Sequence, residues 1–263
     1  MIWFFPNPLT VALTVMIVGA RQLGLAILMH EAAHGQLSPN ARLNDAVGEW
    51  LCAAPVGARL KTYRPYHLSH HKYAQQAEDP DLVLSAPFPV SRASLWRKIA
   101  RDLTGLTFAK QRLLPLLALI AGRAGPGGAK AILGGTRPFL LANAILLGGL
   151  LLAGRPDVYF LGWLLPMATW FPLVTRLRNI AEHACVPDHD DPLRHARTTH
   201  ANLIERALIA PYWVNYHCEH HMFMYLPCYR LPVAHKLLAG KGVTARMEVQ
   251  PGYWGVLARA ASA

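Results

Sequence analysis

The sequence predicts an all-α, integral-membrane helical bundle whose polar helices form a cytoplasmic cap bearing clustered histidines. Three observations predict it. Of 263 residues, 53% are apolar and only 16% charged, well below the roughly 25% charged of soluble domains. Long apolar runs recur near membrane-crossing length. The histidines, 13 in all, gather in polar stretches just beyond those runs. No linker-like stretch divides the chain, so residues 1–263 read as a single domain.

The first run extends from Pro8 to Met29, interrupted by Arg21 and Gln22, and approaches the ~20 residues a crossing helix needs. Its inner end is expected to continue as helix to His34. The start, MIWFFPNPLT, has no positive n-region and so does not read as a cleaved signal peptide. Ala46 to Ala58 and Leu113 to Ala121 are too short to span, which predicts re-entrant, interfacial or packed helices. Gly122 to Gly135, rich in glycine and with a proline, reads as a loop. Pro138 to Ala153 and Val158 to Val174 flank the turn Gly154-Arg155-Pro156-Asp157 and predict a hairpin crossing out and back. From Thr175 onward the chain is polar enough to leave the bilayer. Three spans, about 8–29, 138–153 and 158–174, thus return both histidine-bearing regions to one side. Arg92, Arg97, Lys98, Arg101, Lys110 and Arg112 lie together between apolar runs, and the positive-inside rule assigns 30–112 to the cytoplasm.

The formal net charge is +11, but its lysines and arginines are spread among these segments rather than packed in a block, which argues against nucleic acid as a partner. Such a surface suits anionic lipid heads or an acidic protein donor equally. Cys52, Cys185, Cys218 and Cys228 form no C-x-x-C pair, so they read as free thiols of a reducing compartment.

Eight histidines form three clusters: His30 and His34; His67, His70 and His71; His217, His220 and His221. Positions i, i+3 and i+4 share a helix face, so each cluster is expected to aim its imidazoles at one point. Imidazole suits iron, zinc, copper and nickel alike. Ligand number says more: eight exceed any single zinc site, so two metals are implied. Redox metals beside a membrane point to activation of dioxygen for attack on a hydrocarbon. A membrane zinc protease would need only HEAAH, with Glu31 as general base, and leaves the other two clusters without a task. A haem or metal transporter would place its histidines at membrane depth rather than beyond the helix ends.

HEAAH, HLSHH and NYHCEHH, in this order and separation, resemble the three histidine boxes (30–34, 67–71 and 217–221) of the membrane fatty acid desaturase and hydroxylase superfamily. YRPYHLSHHKY followed by EDPDL resembles the surroundings of the second box, and NYHCEHHMFMYLPCYRLP those of the third; the similarity runs from about His30 to His235. The resemblance implies two iron ions, dioxygen as co-substrate and a lipid acyl chain as substrate, with fatty acid desaturation to a C=C bond as the main reading. Lipid or carotenoid hydroxylation or ketolation, in the same superfamily, is the alternative. It also implies His183, in RNIAEH, as a ninth ligand and Asn179, one turn earlier, as a contact to one metal through water. No cytochrome, flavin or iron–sulfur motif is present, so electrons are expected from an external ferredoxin-like or cytochrome-type donor. Glu31, Glu182 and Glu219 are expected to orient neighbouring imidazoles or to be solvated. His189, His195, His200 and His235 read as surface or supporting residues. Relatives commonly have two spans before the first box and this sequence has one, which suggests an N-terminal helix missing from it or a mis-assigned start. Alanine at His70, His217 or His221 is expected to remove metal and activity together.

Overall fold

The computed structural model describes residues 1–125 and 127–263. Helix α1 (Pro8–Ala33) begins at Asn7, whose side chain accepts from the amides of Leu9 and Thr10 while the Thr10 hydroxyl accepts from the Asn7 amide. This capping box, with Pro8 in the first turn, fixes the start of a helix of 26 residues that holds an 18-residue stretch of mean hydropathy 1.9. At 1.5 Å per residue it measures about 39 Å, more than the hydrocarbon core.

Helix α2 (Ala41–Val47) runs on through a π-helical turn, Gly48–Ala53, and stops at Gly57, where φ is +75°. The Ala46 to Ala58 run is therefore a helix packed on α1 rather than a crossing one. Gly48 permits the approach: a Cβ there would lie 2.4 Å from that of Ala32. Helix α3 (Leu60–Tyr73) carries the second histidine cluster. Helices α4 (Arg92–Leu103) and α5 (Leu106–Ile120) meet at a bend of 76° near Gly105, whose φ is +77°. Leu113 to Ala121 falls at the end of the second arm of this pair, which taken together is apolar enough for a broken span or a re-entrant loop.

Two long helices follow, α6 (Gly128–Leu152) and α7 (Pro156–His183). Here two expectations need correction. The glycine-rich stretch to Gly135 is not all loop, because α6 starts at Gly128, about ten residues before the expected Pro138. Each glycine costs a helix only about 1 kcal/mol, and the adjoining apolar run propagates backward through it. Helix α7 does not end at Val174, because its buried stripe continues through Leu177, Ile180 and Ala181 into the polar segment. One element therefore leaves the apolar zone and delivers His183 to the cap. With α1, these are the helices of the described residues that are long and apolar enough to cross a membrane.

Buried polar links hold the long helices. Asn143 of α6 donates to the carbonyls of Pro55 (3.1 Å) and Phe139 (2.9 Å) and accepts from Tyr159 (3.1 Å) and Trp163 (2.8 Å) of α7. All its hydrogen-bonding capacity is used, as a polar group in an apolar bundle requires. The cap closes with a short parallel pair, β1 (Arg197–Thr199) and β2 (Glu248–Gln250), and helices α8 (His217–Met222), α9 (Leu231–Gly240) and α10 (Tyr253–Ala260). Leu23, Ile27, Val174, Ile180, Val214, Tyr253 and Val256 form the core between α1, α7 and the cap. Buried Arg197 donates to the carbonyls of Ala181 (3.2 Å) and Ala184 (2.8 Å) and to Glu248 (3.1 Å), fastening the end of α7 to both strands.

Candidate metal centre

Four helices converge on the site. The last turn of α1 presents His30 and His34. Its terminal carbonyls are held by side chains, with Arg64 donating to Ala32 (2.8 Å) and Ala33 (3.1 Å) and Asn44 donating to Ala32 (2.9 Å). Helix α3 contributes His67, His70 and His71, the end of α7 contributes His183, and α8 contributes His217, His220 and His221.

All nine predicted histidines come together, but not cluster by cluster. His30, His34, His67, His71 and His220 form one group and His70, His183, His217 and His221 the other, each with its ligand atoms within 4.8 Å of one another. The expectation that each cluster aims at a single point holds for His30 and His34 and is corrected for the other two clusters. In HLSHH the i and i+4 rings share a group and the i+3 ring crosses to the second; HCEHH does the same with the groups exchanged. At about 100° per residue, i+4 lies about 40° from i and i+3 about 60° to its other side, so adjacent histidines diverge.

Distances within each group test whether a metal fits. The Nε2 atoms of His34 and His67, His67 and His71, and His71 and His220 are 3.0, 3.0 and 2.9 Å apart. Those of His70 and His183, His183 and His217, and His217 and His221 are 3.1, 2.9 and 3.1 Å apart. A ring nitrogen has one in-plane proton or lone pair, yet four of these atoms each face two others, so hydrogen bonding does not account for the convergence. Around a shared cation at about 2.1 Å, ligands at right angles lie about 3.0 Å apart and tetrahedral ones about 3.4 Å. The spacing fits cations with more than four coordination positions. Neither ring nitrogen of buried His30 has a hydrogen-bond partner, which leaves one of them free to offer its lone pair to a metal.

The far sides of several rings are held. His70 Nδ1 lies 2.8 Å from Asp79, His183 Nδ1 is 3.1 Å from the His195 carbonyl, and His217 and His30 Nδ1 lie 3.4 Å from Glu182 and Glu31. The Asp79 and His195 contacts keep the proton on Nδ1 of His70 and His183 and turn their Nε2 atoms inward. Burial pushes the imidazole of His34 down to about 4 and that of His71 to about 2, and those of His67, His217, His220 and His221 well below their ordinary value. These six rings are held neutral at physiological pH, as metal ligation requires.

Among the acids, Glu31 also accepts from the Cys228 amide at 2.8 Å, and Glu182 pairs with Arg178 at 2.6 Å. Glu219 orients no ligand directly: it accepts from Thr198 and from His235, the latter at 2.5 Å, and so ties α8 to β1 and α9. His195 and His235 are half-buried supports, while His189 and His200 are exposed. Asp79 and the His195 carbonyl were not singled out by sequence; Asp79 lies in the EDPDL segment, where only its placement nine residues after His70 hints at contact. The four cysteines are unpaired thiols.

A slot of about 30 Å³ lies against Tyr63, His67, His70, Asn179, His183 and His217. It shares Leu84 and Asn179 with a cavity of about 310 Å³ lined by Met167, Phe171, Pro172 and Thr175 of α7. A larger cavity of about 820 Å³ opens over His71 and His221.

The model of the fatty acid desaturase family matches residues 6–250. The chain is 28% identical to a dihydrorhizobitoxine desaturase of Bradyrhizobium elkanii over 95% of its own length and 70% of that protein's. It is 26% identical to a beta-carotene ketolase of Paracoccus sp. (strain PC1), over 88% and 81% of the two lengths. A second Paracoccus ketolase, from strain N81106 / MBIC 01143, is 26% identical over 80% and 73%. Together with the convergent histidines and the apolar helices, these likenesses make it a membrane oxidoreductase with a metal site, and the chain belongs to the fatty acid desaturase family.

Proposed function

We propose that this protein desaturates a lipid acyl chain, using dioxygen and two iron ions held by His30, His34, His67, His71 and His220 on one side and His70, His183, His217 and His221 on the other. The observation that carries the reading is the division of nine histidines, each offering one ring nitrogen, into two adjacent groups. When bound, the iron pair supplies the oxidising power to take hydrogen from an unactivated methylene. Desaturation removes two hydrogens from adjacent carbons and, with dioxygen, two electrons and two protons, yields a C=C bond and two waters. Electrons then come from an external ferredoxin-like or cytochrome-type donor, since the chain has no electron-transfer motif of its own.

The protein's own part is positioning and exclusion of water. Met167, Phe171, Thr175 and Asn179 recur every fourth residue along α7, and this stripe walls the cavity that shares Leu84 and Asn179 with the slot beside His70 and His183. A hydrocarbon lying along it meets the site at Asn179, whose amide is suited to hold a water between the chain and one metal. In this reading α1, α6 and α7 make the protein multi-pass, with its cap in the cytoplasm, where lysines and arginines gather. Those charges steer an acidic donor, so turnover is expected to fall with ionic strength; salt-independent electron transfer would count against this.

The test is metal content by mass spectrometry on detergent-purified protein. About two irons per chain supports the reading, whereas one zinc and no iron under iron-replete growth would revive a hydrolytic role for HEAAH. The likeness to two ketolases over at least 80% of this chain favours a second reading, oxygenation of a carotenoid or other lipid. Product analysis separates them: a new C=C bond with no added oxygen, or a new C–O or C=O.

A further inference from the structure

Arg112 of α5 lines both the 310 Å³ cavity that runs to Asn179 and a second cavity of about 500 Å³ between α3, α5 and α6. The other guanidiniums lining these spaces are committed: Arg59 to Glu49, and Arg176 to Asp102 at 2.5 Å. Arg112 has no carboxylate partner among the described residues. Its one hydrogen bond is a long one, 3.4 Å to the Val56 carbonyl, and its Cζ lies 5.8 Å from the centre of the Phe139 ring. Five N–H donors on a half-buried cation are thus almost unused.

The surroundings seat the guanidinium closely. Gly57, at φ +75°, forms one wall, and a Cβ there would lie 2.7 Å from Arg112 Cζ. Phe139, in α6, turns its ring face to the same guanidinium. A flat cation in contact with a bare backbone and an aromatic ring, and lining a cavity, suits the fork that binds a carboxylate through two parallel hydrogen bonds. Half of the cavity's twelve lining residues are apolar: Val56, Leu84, Phe108, Met167, Phe171 and Pro172.

We infer that Arg112 is the head-group anchor of the substrate, which is a carboxylate-bearing amphiphile taken as the free acid with its hydrocarbon directed toward Asn179. The inference rests on the reading that this cavity feeds the metal centre. It makes Arg112 a specificity-determining residue: distance from the anchor sets which carbons reach the slot beside His70 and His183.

The experiment uses the metal-loaded protein in phosphatidylcholine nanodiscs and the fluorescent polyene cis-parinaric acid, compared with its methyl ester. Protein-free discs correct for partition. Wild type is expected to favour the acid by about 10- to 100-fold, the range for hydrogen bonds to a charged group. Arg112→Gln should lose that preference while still binding the ester, and Arg112→Lys should keep part of it. Equal binding of acid and ester by wild type, or equal weakening of both in Arg112→Gln, overturns the proposal. So does a wild-type-specific loss of probe binding on replacing phosphatidylcholine with phosphatidylglycerol without acid–ester discrimination, which assigns Arg112 to a bilayer lipid. Acid preference lost in Arg112→Gln in a protein that purifies without iron would sustain the anchor while the di-iron reading fails.

Discussion

His70 and His71 are neighbours in one turn of α3, yet their Nε2 atoms belong to different groups. Replacing each with alanine removes the same ring from the same helix, so effects on folding are similar and effects on metal are not. The His70 group has four members and falls to three; the His71 group has five and falls to four. Four-ligand structural sites bind with about 10–16 kcal/mol, so each imidazole contributes about 3 kcal/mol, or 100-fold or more in affinity. After dialysis against a weak chelator, His70→Ala should retain about one metal per chain and His71→Ala closer to two. Adding His217→Ala to His70→Ala should change the count little, because both rings serve one group. Alanine at His70, His217 or His221, expected from sequence to remove metal and activity together, should then remove one of the two metals. Activity should vanish in all these variants. Loss of both metals in His70→Ala, or greater loss in His71→Ala, would refute the partition.

Three further outcomes follow from the geometry. Glu31→Gln should weaken metal binding by about 10- to 100-fold, as loss of a ligand-orienting carboxylate does, yet leave measurable oxidase turnover; complete inactivity at unchanged metal content would instead point to a general base. Asn143→Leu strands the Tyr159 hydroxyl and the Trp163 indole N–H, and should lower stability by about 1 to 3 kcal/mol in thermal unfolding in detergent. Burial holds His34 down to about 4 and His71 to about 2, whereas both titrate near 6.5 when unfolded. Below pH 6.5 the unfolded chain therefore binds more protons. Metal-free protein should lose up to about 1.4 kcal/mol per pH unit for each ring as pH falls toward 4. A midpoint of unfolding equal at pH 7 and pH 5 would contradict this.

The three apolar runs and the grouping of histidines were legible because both are local: hydropathy over twenty residues, and ring spacing along one helix. What is not local was missed. The crossing of His70 and His220 between groups depends on two helices, α3 and α8, facing each other across the site, although the divergence of adjacent rings follows from helix pitch alone. The helical start at Gly128 was hidden because glycine content describes the isolated chain, whereas α6 gains its stability from the apolar residues that follow. Val174 looked like an end because charge begins there, yet α7 continues on a buried stripe narrower than a hydropathy average resolves.

The position of the acids gives this arrangement a further physical sense. Nine neutral imidazoles leave the charge of two bound cations uncompensated in a buried site. Glu31, Asp79 and Glu182 lie one ring away, near the Nδ1 atoms of His30, His70 and His217, where a carboxylate lowers the cost of burying that charge without occupying a coordination position. Asp79 sits closest, at 2.8 Å, against His70 in the smaller group. A carboxylate placed there strengthens the ligand field of the group with fewer rings, so Asp79→Asn should mimic His70→Ala in direction, shedding metal from the four-histidine group first. Equal metal loss from both groups would show that Asp79 serves the fold of α3 and not the balance of charge between the two halves of the site.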